Sequence, residues 1–135
     1  MNSVNTLSRK FALLFTIVFS LIIVGCSGTP SPEDIVRNYY KAVDANRVDE
    51  AFSYYSLKGV ANQDLTSMRQ KLKGLVSEQN RELKKNGGLD SIQTTIVQQD
   101  GKVAVVKVVL RFKNGKTHQG QLKLVQDGGW KLSPM

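Results

Sequence analysis

Hydrophobic positions just after residue 30 recur at the spacing of an α-helix. The first stripe places five large residues on one helix face: Ile35, Val36, Tyr39, Tyr40 and Val43. Ser31 is a good N-cap, Pro32 suits a first turn, and the two acids that follow favour the positive end of the helix dipole. The pattern predicts a helix that begins at Pro32 and ends near residues 44–46.

Two further helices are predicted before the pattern changes. A short one starts at Asn46 or Asp49 and carries Ala51, Phe52 and Tyr55. The face of a longer one is formed by Leu65, Met68, Leu72, Leu75, Val76, Gln79 and Leu83. It is expected to end at residues 84–85, because lysines suit the negative end of the dipole and two glycines follow.

From residue 89 onward the alternation has a period of two, which is typical of β-strands. Four strands are predicted, with turn signals between them, at Ile92–Gln98, Lys102–Lys113, Lys116–Gln126 and Trp130–Leu132. In the second strand the even positions from Ala104 to Phe112 are all apolar and are expected to be buried, and Gly120 is a candidate β-bulge in the third. The order predicts an α+β fold, with the helices on one face of a curved, four-stranded antiparallel sheet.

The N-terminal segment has a different pattern. Arg9 and Lys10 precede an almost wholly apolar run from Phe11 to Val24. A positive stretch, a short apolar run and a small residue at the end form the layout of a secretory signal. As a helix the run would reach about 21 Å, short of the roughly 30 Å of a bilayer core, so it is not expected to span a membrane.

The end of the apolar run resembles a bacterial lipobox, in the order Ile23, Val24, Gly25 and Cys26. The resemblance implies lipid attachment to Cys26, cleavage before it and acylation of the new N-terminus. It divides the chain into a signal peptide (residues 1–25), a lipidated tether (26–30) and a domain (31–135). The alternative is an unprocessed membrane anchor in which the Cys26 thiol is buried and has no role.

The single cysteine and the residue that follows it indicate the cellular compartment. Cys26 is the only cysteine, so a secreted chain cannot form an internal disulfide, and lipidation explains the leftover thiol. In Gram-negative lipoproteins an aspartate after the cysteine tends to retain the protein in the inner membrane. Ser27 therefore points, by analogy, to the outer membrane, with the domain facing the periplasm.

Charge narrows the range of partners. The 135-residue chain has a formal net charge of +8, and removal of residues 1–25 leaves 110 residues with a charge of +6. A positive balance favours anionic partners, which in the envelope are lipid headgroups, acidic glycans or an envelope protein, and not nucleic acid. The basic residues near one predicted hairpin are Lys102, Lys107, Arg111, Lys113 and Lys116. The alternative is that these side chains serve only solubility and edge protection.

Three segments resemble the nuclear transport factor 2-like (cystatin-like) superfamily. Residues 32–42 resemble its first helix, residues 46–52 the start of its second, and residues 128–132 its last strand. More narrowly, the chain is similar to bacterial lipoproteins with an uncharacterised lumazine-binding-like domain. The resemblance implies a cone of helices and curved sheet, often with an apolar pocket. Since its members include isomerases, dehydratases and non-enzymatic binding modules, fold does not settle function.

Few residues are candidates for chemistry. His118, the only histidine, is expected to share a strand face with Leu122 and Leu124 and could lie at a pocket mouth, but no acid lies nearby on the same strand to act as its partner. One histidine without a free cysteine or clustered acids predicts no metal site, and no cofactor motif is present. The candidate pocket residues are Tyr39, Tyr40, Tyr55, His118 and Trp130. The alternative for the aromatic ones is core packing, and for His118 a half-exposed position at a strand end.

These observations favour a lipid-anchored, non-catalytic binding or assembly module of the cell envelope. A purely structural envelope component ranks second. A small pocket enzyme of the isomerase or dehydratase type, with His118 as general acid or base, ranks last.

Overall fold

The computed structural model describes residues 28–134 as three helices followed by four strands. The helices are α1 (Pro32–Asp44), α2 (Val48–Ser53) and α3 (Leu65–Lys85), with a 3₁₀ turn at Asn62–Asp64. The strands are β1 (Leu89–Asp100), β2 (Val103–Phe112), β3 (Thr117–Gln126) and β4 (Trp130–Leu132). They form one antiparallel sheet in the order β1-β2-β3-β4, with the helices on one face. The predicted α+β class is confirmed.

The predicted signal and lipobox, Ile23–Cys26, lie outside the described residues, as does Ser27. Processing and anchoring therefore stay predictions. Within residues 28–134 none of the helices combines the length and the apolar character that crossing a bilayer requires.

Helix α1 begins where its cap predicts. The Asp34 amide donates to the Ser31 hydroxyl oxygen at 3.2 Å, and the Asp34 carboxylate accepts from the Ser31 amide at 3.2 Å and hydroxyl at 2.9 Å. This reciprocal capping box satisfies backbone donors that a helix start otherwise leaves unpaired. The hydrogen bonds from Ser31, and then the charge of Arg37, hold the pKa of Asp34 below its usual value.

The end of α1 is held by a side chain from α3. Asn80 is buried, and its Nδ2 donates to the carbonyl of Val43 at 2.7 Å. That carbonyl belongs to the last turn, where helix carbonyls lack i+4 partners, and it also accepts the Asn46 amide at 3.0 Å. The chain then leaves the helix through Asn46, whose φ of 56° lies in the left-handed region.

Helix α2 is shorter than predicted, and the assignment of Tyr55 to it is wrong. The helix ends at Ser53, and Tyr55 forms a parallel bridge with Leu132 of β4. The Leu132 amide donates to the carbonyl of Tyr54 at 2.7 Å, and the Ser56 amide donates to the carbonyl of Leu132 at 2.8 Å. Because the Tyr54 carbonyl and the Ser56 amide hydrogen-bond to β4, they are not available for a further turn of helix.

The sheet follows the predicted alternation. The even positions of β2, from Ala104 to Phe112, are all buried and face the helices, as predicted. The prediction of a bulge at Gly120 is wrong, since Gly120 pairs with Val108 in a ladder without shifts. Irregularities occur instead in edge strand β1, near Leu89 and between Ile96 and Gln98. An edge strand has one neighbour only, so it absorbs an extra residue more easily than a central one.

One hydrophobic core joins the helices to the sheet. Its most deeply buried large side chains come from α1, α3 and three strands: Val36, Tyr39, Val43, Val76, Val106, Val108, Leu124 and Leu132. Helix α1 lies against the sheet and also contacts α2 and α3. This arrangement places the C-terminal half of α3 beside the far end of β2, where the candidate site lies.

Candidate functional site

A cavity of about 350 Å³ lies where α1, α3 and the β2–β3 hairpin meet. Its volume is within the range of small-ligand pockets. The apolar side is formed by buried residues of three elements: Tyr40, Leu83, Leu110 and Phe112. The polar side is formed by Gln79 and Glu82 of α3, by Asn86 at its C-cap, and by Lys116, Thr117 and His118 of the hairpin. An apolar floor with a mixed polar rim suits an amphipathic ligand.

The end of α3 is fastened to the hairpin beside the cavity. Asn114 Nδ2 donates to Asn86 Oδ1 at 2.9 Å, and the Lys113 amide donates to the carbonyl of Gly88 at 3.0 Å. Gly87 and Gly88 have φ values of 85° and 89°, a conformation that side chains disfavour. The glycine pair therefore lets α3 stop and bend onto the hairpin, which holds the two polar walls at a defined separation.

His118 lies at the rim, exposed and paired in the ladder with Leu110. None of the ion pairs within residues 28–134 includes it. The acid that lines the same cavity is Glu82, which is itself exposed and accepts from Lys85 Nζ at 3.4 Å. The rim thus brings Lys116, His118 and Glu82 to one cavity, and no hydrogen bond or ion pair of the described residues joins Glu82 to either of the other two.

A tyrosine network lies directly behind the cavity. The Tyr39 hydroxyl donates to Gln79 Oε1 at 2.5 Å and lies 3.0 Å from the Tyr55 hydroxyl. The Tyr39 ring meets those of Tyr40 and Tyr55 edge to face, with centroids 5.2 and 5.5 Å apart. Gln79 therefore connects the cavity wall to the buried network and is fixed in orientation by it.

Burial keeps the network neutral. Loss of solvation raises the pKa of Tyr40 to about 12 and raises those of Tyr39 and Tyr55 above the usual value. At neutral pH these hydroxyls are therefore protonated hydrogen-bond donors, and none of them is prepared to act as a base.

The structure separates the five predicted pocket residues. Tyr40 and His118 line the cavity, although they are far apart in sequence. Tyr39 and Tyr55 lie behind it, as described above. Trp130 lies on β4, opposite Gln126, and is buried in the core away from the cavity.

Sequence reasoning did not assign a site role to the α3 wall. Gln79, Glu82, Leu83 and Asn86 all line the cavity. Their spacing of three, four and seven residues places them on one helix face, and this periodicity is the signal that could have identified them. The predicted helix face, from Leu65 to Leu83, includes only Gln79 and Leu83 of this wall.

The predicted basic cluster is divided by the sheet. All five side chains are exposed, but only Lys116 lines the cavity. Arg111 points to the outer face, 3.9 Å from the Asp90 carboxylate, and Lys102 lies at the opposite end of β2. Across residues 28–134, no group of three or more histidine, aspartate or glutamate side chains is placed to hold a metal ion.

Comparison with known proteins gives a fold and no family. No family model matches the chain, and no curated protein matches it. A solved structure from Campylobacter jejuni, provisionally named an NTF2-like transpeptidase, is similar with a TM-score of 0.70. The two share 22% identity over 78% of this chain and 99% of that one. The domain therefore has a nuclear transport factor 2-like fold, as the resemblance implied.

Proposed function

We propose that this chain is a lipoprotein of the bacterial cell envelope, anchored through Cys26, whose domain is a non-catalytic binding or assembly module. The observation that carries the binding role is the cavity between α3 and the β2–β3 hairpin, with its apolar floor and polar rim. Kinship with the lumazine-binding-like lipoproteins, and residence in the outer membrane if the source is Gram-negative, are part of this proposal.

The anchor is supported by the sequence around the start of the domain. Cys26 ends an apolar run in a lipobox pattern, and the capped helix α1 begins only six residues later. A single acyl chain anchors a protein marginally, whereas the three chains of a bacterial lipoprotein would make attachment effectively permanent.

The cavity supports a ligand with an apolar part and an anionic or polar group. The apolar part would lie on Leu110 and Phe112, and Lys116 and His118 would meet the polar group at the rim. Such chemistry fits a lipid headgroup with part of its chain, a glycan with an apolar substituent, or a segment of an envelope protein.

A small pocket enzyme, ranked last from the sequence, gains one observation, because Glu82 and His118 line the same cavity. The word transpeptidase in the name of the Campylobacter jejuni protein gives little support to an enzymatic role for this chain. Acyl transfer needs an activated hydroxyl or thiol nucleophile. Each side-chain hydrogen bond that a serine hydroxyl donates within residues 28–134 goes to an acceptor other than His118.

The anchor is tested by mass spectrometry of the mature N-terminal peptide and by membrane fractionation. We expect the peptide to begin at residue 26 and to carry acyl chains, and we expect Cys26→Ala to move the folded chain out of the membrane fraction. An unmodified residue 26 in a protein freely soluble in the cytosol would contradict the anchor.

The binding role is tested by recovering partners of the tagged full chain from detergent-solubilised membranes. Lys116→Glu, on the cavity rim, should lose the partner, whereas Lys113→Glu, on the same turn but outside the cavity, should keep it. Equal recovery with both variants would favour the purely structural role, with docking elsewhere. A ligand chemically altered by the wild-type chain but unaltered by His118→Gln would favour the enzyme.

A further inference from the structure

We propose that the end of the sheet nearest the tether is a second functional surface, which docks on anionic phospholipid headgroups. This inference rests on the proposed lipid anchor at Cys26, and it concerns a surface separate from the cavity. Three features of residues 28–134 carry it: where α1 begins, which side chains lie at that end of the outer sheet face, and how charge is distributed among them.

The tether limits how the domain can lie on a membrane. Ser31 follows Cys26 by five residues, so the start of α1 is at most about 18 Å from the anchored residue. Glu33, in the first turn of α1, accepts a hydrogen bond from the Ile96 amide at 3.2 Å through Oε1. The C-terminal end of β1 is therefore held beside the start of α1, within reach of the bilayer surface.

The outer face of the sheet carries valines at this same end. Ala104 and Val106 are fully buried on the inner face, so the alternating neighbours Val103 and Val105 point outward. Val103 pairs with Val125, and Val97 at the β1 bulge is 49% exposed. We call Val97, Val103, Val105 and Val125 the valine surface. It lies at the same end of the sheet as the helix start that the tether holds near the membrane, on the opposite face of the sheet.

Lysines surround the valine surface. Lys58 and Lys102 line a shallow cavity of about 310 Å³ together with Val103 and Val125. Lys123, which is exposed, lies opposite Val105 in the ladder, and Lys107 follows on the outer face.

Acids are fewer on the outer face at this end of the sheet. Asp100, opposite Val103, is exposed, and the Asp127 carboxylate is engaged by the Ser56 hydroxyl at 2.7 Å. Glu33 and Asp34 of α1 lie at the same end but on the helix side of the sheet. The balance on the outer face is positive, and the ammonium groups lie beside short apolar side chains. Because the tether brings this end to the bilayer, anionic headgroups are the complementary partner within reach.

The arrangement also orients the candidate site. The valine surface lies at the start of β2 and the cavity at its end, and β2 runs from Val103 to Phe112, about 30 Å of extended chain. Docking by the valine surface therefore directs the cavity away from the bilayer, where it can receive ligands from the surrounding aqueous space.

The test uses the full mature chain in vesicles, with a single added thiol. If Cys26 is lipidated, an introduced cysteine is the only free thiol and takes a fluorescent label. Gln98→Cys places the label at the valine surface, and Ser91→Cys is the matched control. Both residues are exposed on the outer face of β1, opposite Val105 and Arg111 respectively. Nitroxide attached to the headgroups of phosphatidylglycerol-rich vesicles should quench the label at residue 98 and leave the label at residue 91 bright.

Charge dependence is tested in the same assay. Lys102→Glu with Lys123→Glu should lower the ratio of docked to undocked domain at least about 25-fold, since each lysine near an anionic surface favours contact about fivefold. The matched control, Arg69→Glu with Lys71→Glu, makes the same change of charge on exposed positions of α3 and should leave the quenching unchanged.

The outcomes separate the docking proposal from the anchor. Label uptake by the chain without an added cysteine, or failure to float with vesicles, would show that the anchor is absent and would overturn both. Equal quenching at residues 91 and 98 on a floating, lipidated chain would overturn docking alone. Undiminished quenching in phosphatidylcholine vesicles, or after the lysine reversal, would also overturn the headgroup interaction.

Discussion

The hydroxyl oxygens of Tyr39 and Tyr55 lie 3.0 Å apart in the interior, although the two residues belong to different segments of the chain. Tyr39 has a single hydroxyl proton, which it donates to Gln79 Oε1, so Tyr55 is the donor between the two tyrosines. This relay joins α1, the segment after α2, and the α3 wall of the cavity. Its geometry leads to the first two predictions.

Tyr39→Phe should lower the free energy of unfolding by about 1–3 kcal/mol, because the partly buried Gln79 and Tyr55 both lose a hydrogen-bond partner. Urea denaturation checks this. Tyr55→Phe is the control and should cost less, since it leaves the bond between Tyr39 and Gln79 in place. Equal effects of the two substitutions would contradict the relay as described.

The domain should lose stability in alkaline solution. The pKa of Tyr40 is raised to about 12, and those of Tyr39 and Tyr55 are also raised, so the folded state holds these protons more tightly than the unfolded state. The stabilisation is fully present below pH 10 and is lost as the pH rises from about 10 to 12, at up to roughly 1.4 kcal/mol per pH unit for each tyrosine.

The measurement is the free energy of unfolding at a series of pH values, with tyrosinate absorbance followed in parallel. Tyr40→Phe should flatten the alkaline slope by removing one of the titrating groups. Tyr54, the fourth tyrosine of the chain, lies outside this network. Tyrosinate from more than one ring near pH 10 while the domain stays folded would show that the network rings are accessible to solvent and would contradict their burial.

Asn80→Ala should lower the free energy of unfolding by about 1 kcal/mol, since the carbonyl of Val43 loses the Asn80 donor and keeps only the Asn46 amide at 3.0 Å. Amide hydrogen exchange should report faster opening at the C-terminal end of α1. Gln70→Ala, an exposed change on the same helix, should have little effect. Similar destabilisation by both would show that the loss comes from α3 itself and not from the contact with α1.

Two leucines form a matched pair for the core. Leu124 is fully buried and Leu75 is 42% exposed. Leu124→Ala should lower the unfolding free energy by about 2–5 kcal/mol, since it removes apolar contacts and leaves a cavity. Leu75→Ala should change it by about 0.5 kcal/mol or less. Thermal or urea denaturation of the two variants checks the difference, and a large loss from the second would indicate that Leu75 is covered by a partner.

Local signals were enough to predict most elements. The capping box at Ser31 and the apolar stripe that follows it define α1 without reference to the rest of the chain. Alternation in β2 predicted the buried face correctly, because a strand's side-chain period depends only on its own backbone. The turns follow the glycines for the same local reason.

Errors arose where distant partners decide the backbone. Tyr55 leaves the helical pattern because Leu132, far along the chain, offers hydrogen bonds to its neighbours. Gly120 needs no bulge because its ladder with β2 is regular, and the irregular residues of β1 include the one whose amide pairs with Glu33. None of these contacts can be read from a short window of residues.

The sequence by itself determined the class of fold, the order of its elements and which faces are buried, because short-range periodicity and capping govern those features. It also carries the lipobox pattern, which lies outside the described residues. Only the tertiary structure decided that Tyr40 and His118 share a cavity while Trp130 does not. Which side chains meet depends on the docking of α3 against the hairpin, and that packing depends on contacts between residues far apart in the chain.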